Sequence, residues 1–246
     1  MWNKPHLLNA IADLLMLVAS AALLAAAAVW LVRVPSLPVR QVEFAEALPH
    51  TRRGEVELVL PASLKGNFFS LNLEAVRDSL EKLPWVRKVE VRRVWPAKLE
   101  IDIEEHKPVA RWGEGRGELV NSYGELFSAQ IPDEEGAGLP MLFGPNGTAQ
   151  EVLSYYGEFA AAFKAVGEKP VQVTLSPRLA WQLKLQNGMV VDIGREQAKA
   201  PVGVRLQRFI EIYPETVAKR AVRPAVVDLR YPNGFAMRVA GEGKGK

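Results

Sequence analysis

The stretch VRKVEVRRVWPAKLEIDIEE, residues 86–105, decides the fold of the first part of the chain. On both sides of Trp95-Pro96-Ala97, apolar side chains alternate with charged ones, a pattern typical of strands that bury one face. The connection is so short that the two strands must run antiparallel. We therefore predict a β-hairpin with one apolar face.

One strand and two helices precede this hairpin. Residues 39–44 have the pattern of a strand, and Thr51 begins a helical stretch that ends near Pro61. Asn72 can cap a second helix, because its side chain can accept hydrogen bonds from the first turn. The apolar stripe of that helix comprises Leu73, Val76, Leu80 and Leu83. The order is β-α-α-β-β, a complete small domain that we assign to residues 39–107.

An apolar segment without charges lies at residues 14–32. As a helix it spans roughly 28 Å, close to the hydrocarbon thickness of a bilayer. We predict an uncleaved transmembrane helix, because the run is longer than the core of an ordinary signal peptide. Residues 1–13 then form a tail on one side of the membrane and residues 33–38 a linker on the other. The flanking charges leave the orientation open.

Strand signals dominate residues 108–240, with hairpins expected at Tyr123-Gly124, at Asn187-Gly188 and across Pro232-Asn233-Gly234. The predicted strands are residues 119–121, 125–127, 171–175, 181–185, 190–193, 226–231 and 235–239, and the predicted helices are residues 151–166 and 204–213. We predict a mainly antiparallel β domain with flanking helices, and hence an α+β protein overall. Residues 241–246 are expected to form a flexible tail.

Composition excludes several kinds of site. Cysteine is absent, which removes disulfides, thiol nucleophiles and cysteine-bound zinc. None of the three histidines (His6, His50 and His106) has a second ligand at metal spacing. The net charge is only +3, and the basic pairs are scattered along the chain, whereas a phosphate-binding face needs clustered charge. We predict no metal site, no cofactor and no nucleic-acid partner.

Patterns that resemble catalytic motifs have simpler explanations. Ser79 and Lys82 match the S-x-x-K pattern of penicillin-binding enzymes, but no K-T-G motif follows, and both lie beside the stripe of an amphipathic helix. The carboxylates of Asp102, Glu104 and Glu105 belong to the charged face of a strand. We therefore predict no catalytic residues and a protein that works through contacts with other proteins.

The last predicted strand, residues 235–239, pairs on one side with residues 226–231 and is expected to leave its other side open. An open edge is either protected against aggregation or used to recruit another strand. From the residues alone, both interpretations stand.

Several blocks of sequence resemble the bacterial cell-division FtsQ/DivIB family. They are LPWVRKVEVRRVWP at 83–96, EHKPVARW at 105–112, IGR at 193–195, RLQRF at 205–209, and VDLRY at 227–231 with Gly234. The resemblance implies that residues 39–107 form a POTRA domain. It also implies a cytoplasmic N-terminus, with most of the chain in the periplasm at the inner membrane and the division septum.

The resemblance further implies a non-catalytic scaffold that links early and late division proteins and binds the FtsB–FtsL pair by strand addition. Through that pair it would influence septal peptidoglycan synthesis by FtsW and FtsI. The residues placed at the contact are Arg230, Tyr231, Gly234, Phe235, Ala236 and Met237, with Arg178 as a candidate for an acidic group on the partner. The alternatives are a POTRA-containing assembly or transport factor for outer-membrane polypeptides and, third, a periplasmic hydrolase.

Overall fold

A computed structural model describes residues 5–33, 41–44, 48–63, 67–114, 117–231 and 234–239. The chain divides into two units, Met1–Glu105 and His106–Lys246. A separate hydrophobic core lies in each of them. The α+β class is confirmed, since both units combine helices with a sheet.

Helix α1 runs from Pro5 to Arg33 and thus begins well before the predicted membrane segment. Its part from His6 to Trp30 is long and apolar enough to cross a membrane, and its side chains are exposed. The helix extends beyond the apolar core because the residues before Leu14 include good helix formers such as Leu and Ala. The predicted apolar helix is therefore confirmed.

The first unit has the predicted β-α-α-β-β order. Its elements are β1 (Gln41–Phe44), α2 (Arg53–Ser63), α3 (Leu73–Leu80), β2 (Val86–Val94) and β3 (Lys98–Glu105). The sheet order is β1-β3-β2, with β1 parallel and β2 antiparallel to β3. Strand β2 therefore lies at one edge of this sheet.

The core of the first unit follows the predicted periodicities. Val76 and Leu80 of α3 are fully buried, against the apolar faces of β2 and β3. Asn72 caps α3, accepting hydrogen bonds from the backbone N–H groups of Glu74 (3.0 Å) and Ala75 (3.2 Å). Helix α2 continues two residues past Pro61, so its predicted end was slightly short.

The second unit contains one large sheet and three helices among the residues that the structure describes. Its elements are β4 (Pro108–Trp112), β5 (Glu118–Asn121), β6 (Leu126–Ser128), α4 (Asp133–Gly136), β7 (Met141–Phe143), α5 (Ala149–Lys164), β8 (Pro170–Leu175), β9 (Ala180–Leu185), β10 (Val190–Arg195), α6 (Val202–Thr216), β11 (Pro224–Asp228) and β12 (Ala236–Val239). The sequence did not predict β4, α4 or β7. Both α4 and β7 are very short, and β4 and β7 pair in parallel rather than in a hairpin.

The strand order is β12-β11-β10-β9-β8-β7-β4-β5-β6. Among the described pairings, five are antiparallel and three are parallel. Two of the parallel pairs are joined through helices, β7 to β8 through α5 and β10 to β11 through α6, because parallel neighbours need a crossover connection. The sheet is thus mainly antiparallel, as predicted.

Helices α5 and α6 pack on the sheet through large aromatic side chains. Phe159, Phe163 and Phe209 are almost completely buried in one cluster with alternate residues of the strands. One detail differs from the sequence prediction, since strand β11 ends at Asp228 rather than at residue 231. The predicted turn residues Pro232 and Asn233 lie outside the described residues.

Candidate partner-binding edge

Strand β12 lies at one end of the nine-stranded sheet and pairs with β11. The paired residues include Asp228 with Ala236 and Val226 with Arg238. Within the described ranges, no strand covers the other side of β12. The open edge expected from its position at the end of the chain is therefore present.

The backbone of β11 shows which of its residues face β12. Leu229 donates its N–H to the carbonyl oxygen of Asp192 in β10, over 2.8 Å. Along a strand, the backbone groups of successive residues point to opposite sides, so Leu229 faces β10 and its neighbour Asp228 faces β12. By the same alternation, Val226 also directs its N–H and C=O toward β12.

On β12, the residues that pair with Asp228 and Val226 are Ala236 and Arg238. Their backbone N–H and C=O groups therefore point toward β11. Because directly opposed residues of an antiparallel pair exchange hydrogen bonds at every second position, Met237, which lies between them, turns its N–H and C=O groups to the open side of the sheet. Val239 pairs with Pro224 across a register shift in β11.

Alternate side chains hold β12 on the core. Phe235 and Met237 pack against the main cluster of buried residues. The ring centroids of Phe235 and Phe209 lie 5.5 Å apart, in an edge-to-face arrangement. Ala236 and Arg238 are exposed. The strand is thus fixed by one face and one neighbour, which leaves one edge for further pairing.

Arg230 lies just beyond β11 and is bound to Asp228. Its Nε donates to Oδ1 over 2.8 Å and its Nη2 to Oδ2 over 2.6 Å. The backbone N–H of Arg230 also donates to Oδ1, over 3.0 Å. These hydrogen bonds lower the pKa of the Asp228 carboxyl and raise the pKa of Arg230. The cation is held in place but is more than half exposed, and can still meet an acidic group.

A glycine allows Arg230 to lie close to β10. Gly194 has φ +83°, and a Cβ there would lie 2.7 Å from Cγ of Arg230. The register between β9 and β10 shifts at this point, between Asp192 and Gly194. A side chain at this position would strain the backbone and displace Arg230.

A buried arginine lies beneath the same corner of the sheet. Arg205 of α6 is 3% exposed, and its Nη2 donates to the carbonyl oxygen of Arg195. Its Nε and Nη1 have no hydrogen-bond partner among the described residues, and burial lowers its pKa. It lines a cavity of about 10 Å³, the size of one water molecule. The cavity is also lined by Arg208, Phe209, Leu229, Tyr231, Gly234 and Phe235.

The structure brings most of the predicted contact residues together. Tyr231 is 55% exposed, and Gly234 is partly buried beside the start of β12. Arg178 lies in the turn before β9, at the same end of the sheet, because β9 and β12 start where β10 and β11 end. Three strand spacings separate it from β12, roughly 14 Å. Arg178 therefore lies too far from β12 to contact its backbone.

Sequence reasoning missed Asp228 and the role of Gly194 at this site. A signal for Asp228 existed: residues two apart in a strand share a face, so Asp228 and Arg230 could have been paired. For Gly194 the sequence carries no such signal, because the approach of Arg230 depends on the register between β10 and β11.

The edge of the first unit's sheet, at β2, is protected differently. Glu81 accepts a hydrogen bond from the backbone N–H of Val89, over 3.1 Å. At the other end of β2, Arg93 donates to the carbonyl oxygens of Phe68 (2.7 Å) and Leu71 (2.5 Å). No comparable side-chain cap reaches the backbone of β12 among the residues that the structure describes. Of these two edges, β12 is the less protected.

Comparison with known proteins agrees with this architecture. The family description "POTRA domain, FtsQ-type" matches residues 37–106, and "Cell division protein FtsQ/DivIB, C-terminal" matches residues 110–230. A protein named cell division protein FtsQ from Burkholderia pseudomallei is 40% identical, over 98% of this chain and 95% of its own length. The chain belongs to the FtsQ/DivIB family.

Other FtsQ proteins show the same extent of similarity. Cell division protein FtsQ of Nitrosospira multiformis is 36% identical, over 97% of this chain and 99% of its own length. The FtsQ protein of Bordetella pertussis is 34% identical, over 98% of this chain and 93% of its own length. The similarity covers the apolar helix and both units. Within the described ranges, no group of His, Asp or Glu side chains is arranged to hold a metal ion.

Proposed function

We propose that this protein is a non-catalytic scaffold of the division complex that binds the FtsB–FtsL pair by strand addition to β12. The observation that carries the proposal is the open edge of β12, where Met237 presents its backbone N–H and C=O groups. Membership of the FtsQ family supports a role in cell division. Through the bound pair, the protein influences septal peptidoglycan synthesis by FtsW and FtsI.

In this proposal the backbone provides affinity and neighbouring side chains provide specificity. A partner strand paired with the open side of β12 forms a few backbone hydrogen bonds, each contributing about 0.5–1.5 kcal/mol. Arg230 and Tyr231 lie at the end of the same edge, where an acidic or apolar side chain of the partner can reach them. Arg178 supplies a second cation farther along the sheet.

Two proline substitutions test the edge. Met237→Pro removes an outward N–H, so we expect at least about tenfold weaker binding of the purified FtsB–FtsL pair, with the sheet intact. Met237→Ala keeps that N–H and should bind within a few-fold of the wild type. Ala236→Pro removes an inward N–H and should instead loosen β12 from β11. Binding is measured by calorimetry, and folding by circular dichroism and limited proteolysis.

The edge is excluded as the docking site if Met237→Pro is folded and binds as tightly as the wild type. If Met237→Ala alone weakens binding as much as Met237→Pro, the side chain carries the contact and strand addition is wrong. If Arg230→Ala abolishes partner binding while Met237→Pro binds the partner with wild-type affinity, the contact lies beyond the strand.

A further inference from the structure

One end of the first unit's sheet carries the start of β1, the first strand after α1 in the sequence. Strand β1 begins at Gln41, which pairs with Lys98, the first residue of β3. The turn between β2 and β3, residues 95–97, directly precedes Lys98. Since β1 and β3 are parallel, this turn and the start of β1 lie at the same end of the sheet.

The connection from α1 to this end is short. Seven residues separate Arg33, the last residue of α1, from Gln41. Even fully extended, that length spans no more than about 29 Å. The turn between β2 and β3 is therefore held within this distance, plus a strand spacing or two, of the end of α1.

Two exposed aromatic side chains occupy this end. Trp95 in the turn is 80% exposed, and Phe69 is 44% exposed. The segment that carries Phe69 is tied to the end of β2 by Arg93, which donates to the carbonyl oxygens of Phe68 and Leu71. Arg93 pairs with Leu99, next to the turn. Two large aromatic side chains, one mostly and one partly exposed, thus lie at the end of the sheet where β1 begins.

Exposed aromatic residues close to a membrane helix suit one environment in particular. Tryptophan rings concentrate at the boundary between lipid headgroups and acyl chains, where an apolar ring with one N–H donor is well accommodated. Two of the nearby cations are paired with carboxylates, Arg92 with Glu100 and Lys98 with Glu43, and Arg93 donates to the carbonyl oxygens of Phe68 and Leu71. The two exposed rings make apolar contact the main interaction that this end offers to a bilayer.

We propose that the end of the first unit that carries Trp95 and Phe69 rests on the surface of the membrane that α1 crosses. Both rings lie at the level of the headgroups and restrict the motion of the first unit relative to the bilayer. This contact is independent of partner binding at β12. It requires that α1 is inserted in the bilayer.

The absence of cysteine allows a direct test in the full chain. Trp95→Cys and Phe69→Cys are labelled with an environment-sensitive fluorophore and reconstituted into phosphatidylcholine vesicles. Lys82→Cys is the matched control, because Lys82 is exposed in the turn after α3, at the opposite end of the sheet. Spin-labelled lipids then report proximity to the bilayer. We expect a blue shift and strong quenching at positions 95 and 69, and neither at position 82.

Insertion of α1 is checked separately by resistance of the vesicle-bound chain to alkaline extraction, and folding by limited proteolysis. Equal quenching at positions 95 and 82 in inserted, folded protein overturns the proposal. So does quenching at position 95 that arises only with anionic lipid, because the contact would then be electrostatic. Shielding of position 95 that arises only when other membrane proteins are added also overturns it, in favour of a protein contact.

Discussion

Arg230 and Asp228 form a bidentate ion pair at the end of β11, with Nε–Oδ1 and Nη2–Oδ2 distances of 2.8 and 2.6 Å. The arginine is thereby oriented beside the candidate edge before any partner binds. An oriented cation loses less side-chain freedom on binding than a freely rotating one. The pair also makes the stability of this corner depend on pH.

The first prediction concerns this pH dependence. The hydrogen bonds from Arg230 lower the pKa of Asp228 in the folded state. The resulting stabilisation is present above the unfolded-state pKa of about 3.9 and is lost as the pH falls through the lower folded-state value. We expect Asp228→Asn to reduce the free energy of unfolding by about 1 kcal/mol near neutral pH, and by nothing in strong acid.

Urea unfolding of the full chain in detergent, followed by tryptophan fluorescence, measures this difference. Glu215→Gln is the control, since Glu215 near the end of α6 forms an exposed ion pair with Lys219 that contributes little. A difference between Asp228→Asn and the wild type that stays constant down to strong acid would contradict the prediction.

The second prediction concerns Gly194. We expect Gly194→Ala to destabilise the second unit by about 1–3 kcal/mol, because alanine is strained at φ +83° and its Cβ collides with Arg230. Gly157→Ala should instead stabilise by about 0.5–1 kcal/mol, because Gly157 is exposed inside α5 with open space around it. Chemical denaturation measures the free energy of unfolding of both variants. If the two substitutions change it equally, the close approach of Arg230 to Gly194 is unimportant for stability.

The third prediction concerns the core of the first unit. Leu80 is fully buried, so Leu80→Asp places an unpaired charge in the core and should unfold this unit. Glu90→Gln alters an exposed residue and should change stability by less than about 0.5 kcal/mol. Limited proteolysis distinguishes the two. Wild-type resistance of Leu80→Asp would mean that α3 does not pack as described.

The fourth prediction concerns the protected edge at β2. Glu81→Leu removes the acceptor for the N–H of Val89 and should expose β2 to pairing with a second copy. Glu81→Gln retains an acceptor oxygen and should behave as the wild type. Sedimentation velocity in detergent reports self-association. If neither variant associates more than the wild type, Glu81 is not what protects this edge.

The fifth prediction concerns topology. We expect the N-terminus to be cytoplasmic and the two folded units periplasmic, although the charges flanking α1 do not favour this orientation. Alkaline phosphatase fused to the C-terminus should be active, and a reporter that works only in the cytosol should be silent there. The reverse result would invert the assignment.

Local elements could be predicted because their causes lie within a few residues of one another. The alternation in residues 86–105 marks two half-buried strands, and Asn72 lies in the place of a helix cap. Turn residues such as Asn187-Gly188 mark a hairpin for the same reason. Short strands such as β7 could not be predicted, because three residues carry too little periodicity.

The sequence by itself determined the apolar helix, the β-α-α-β-β unit, the mainly antiparallel character of the second unit and the presence of a last strand. Only the tertiary structure decided that β4, β7 and β8 pair in parallel and that Gly194 lies beneath Arg230. It also decided that the backbone N–H of Met237, rather than that of Ala236, lies on the open side of the sheet. These features depend on register between segments far apart in the chain. Packing of whole faces sets that register, and no local pattern encodes it.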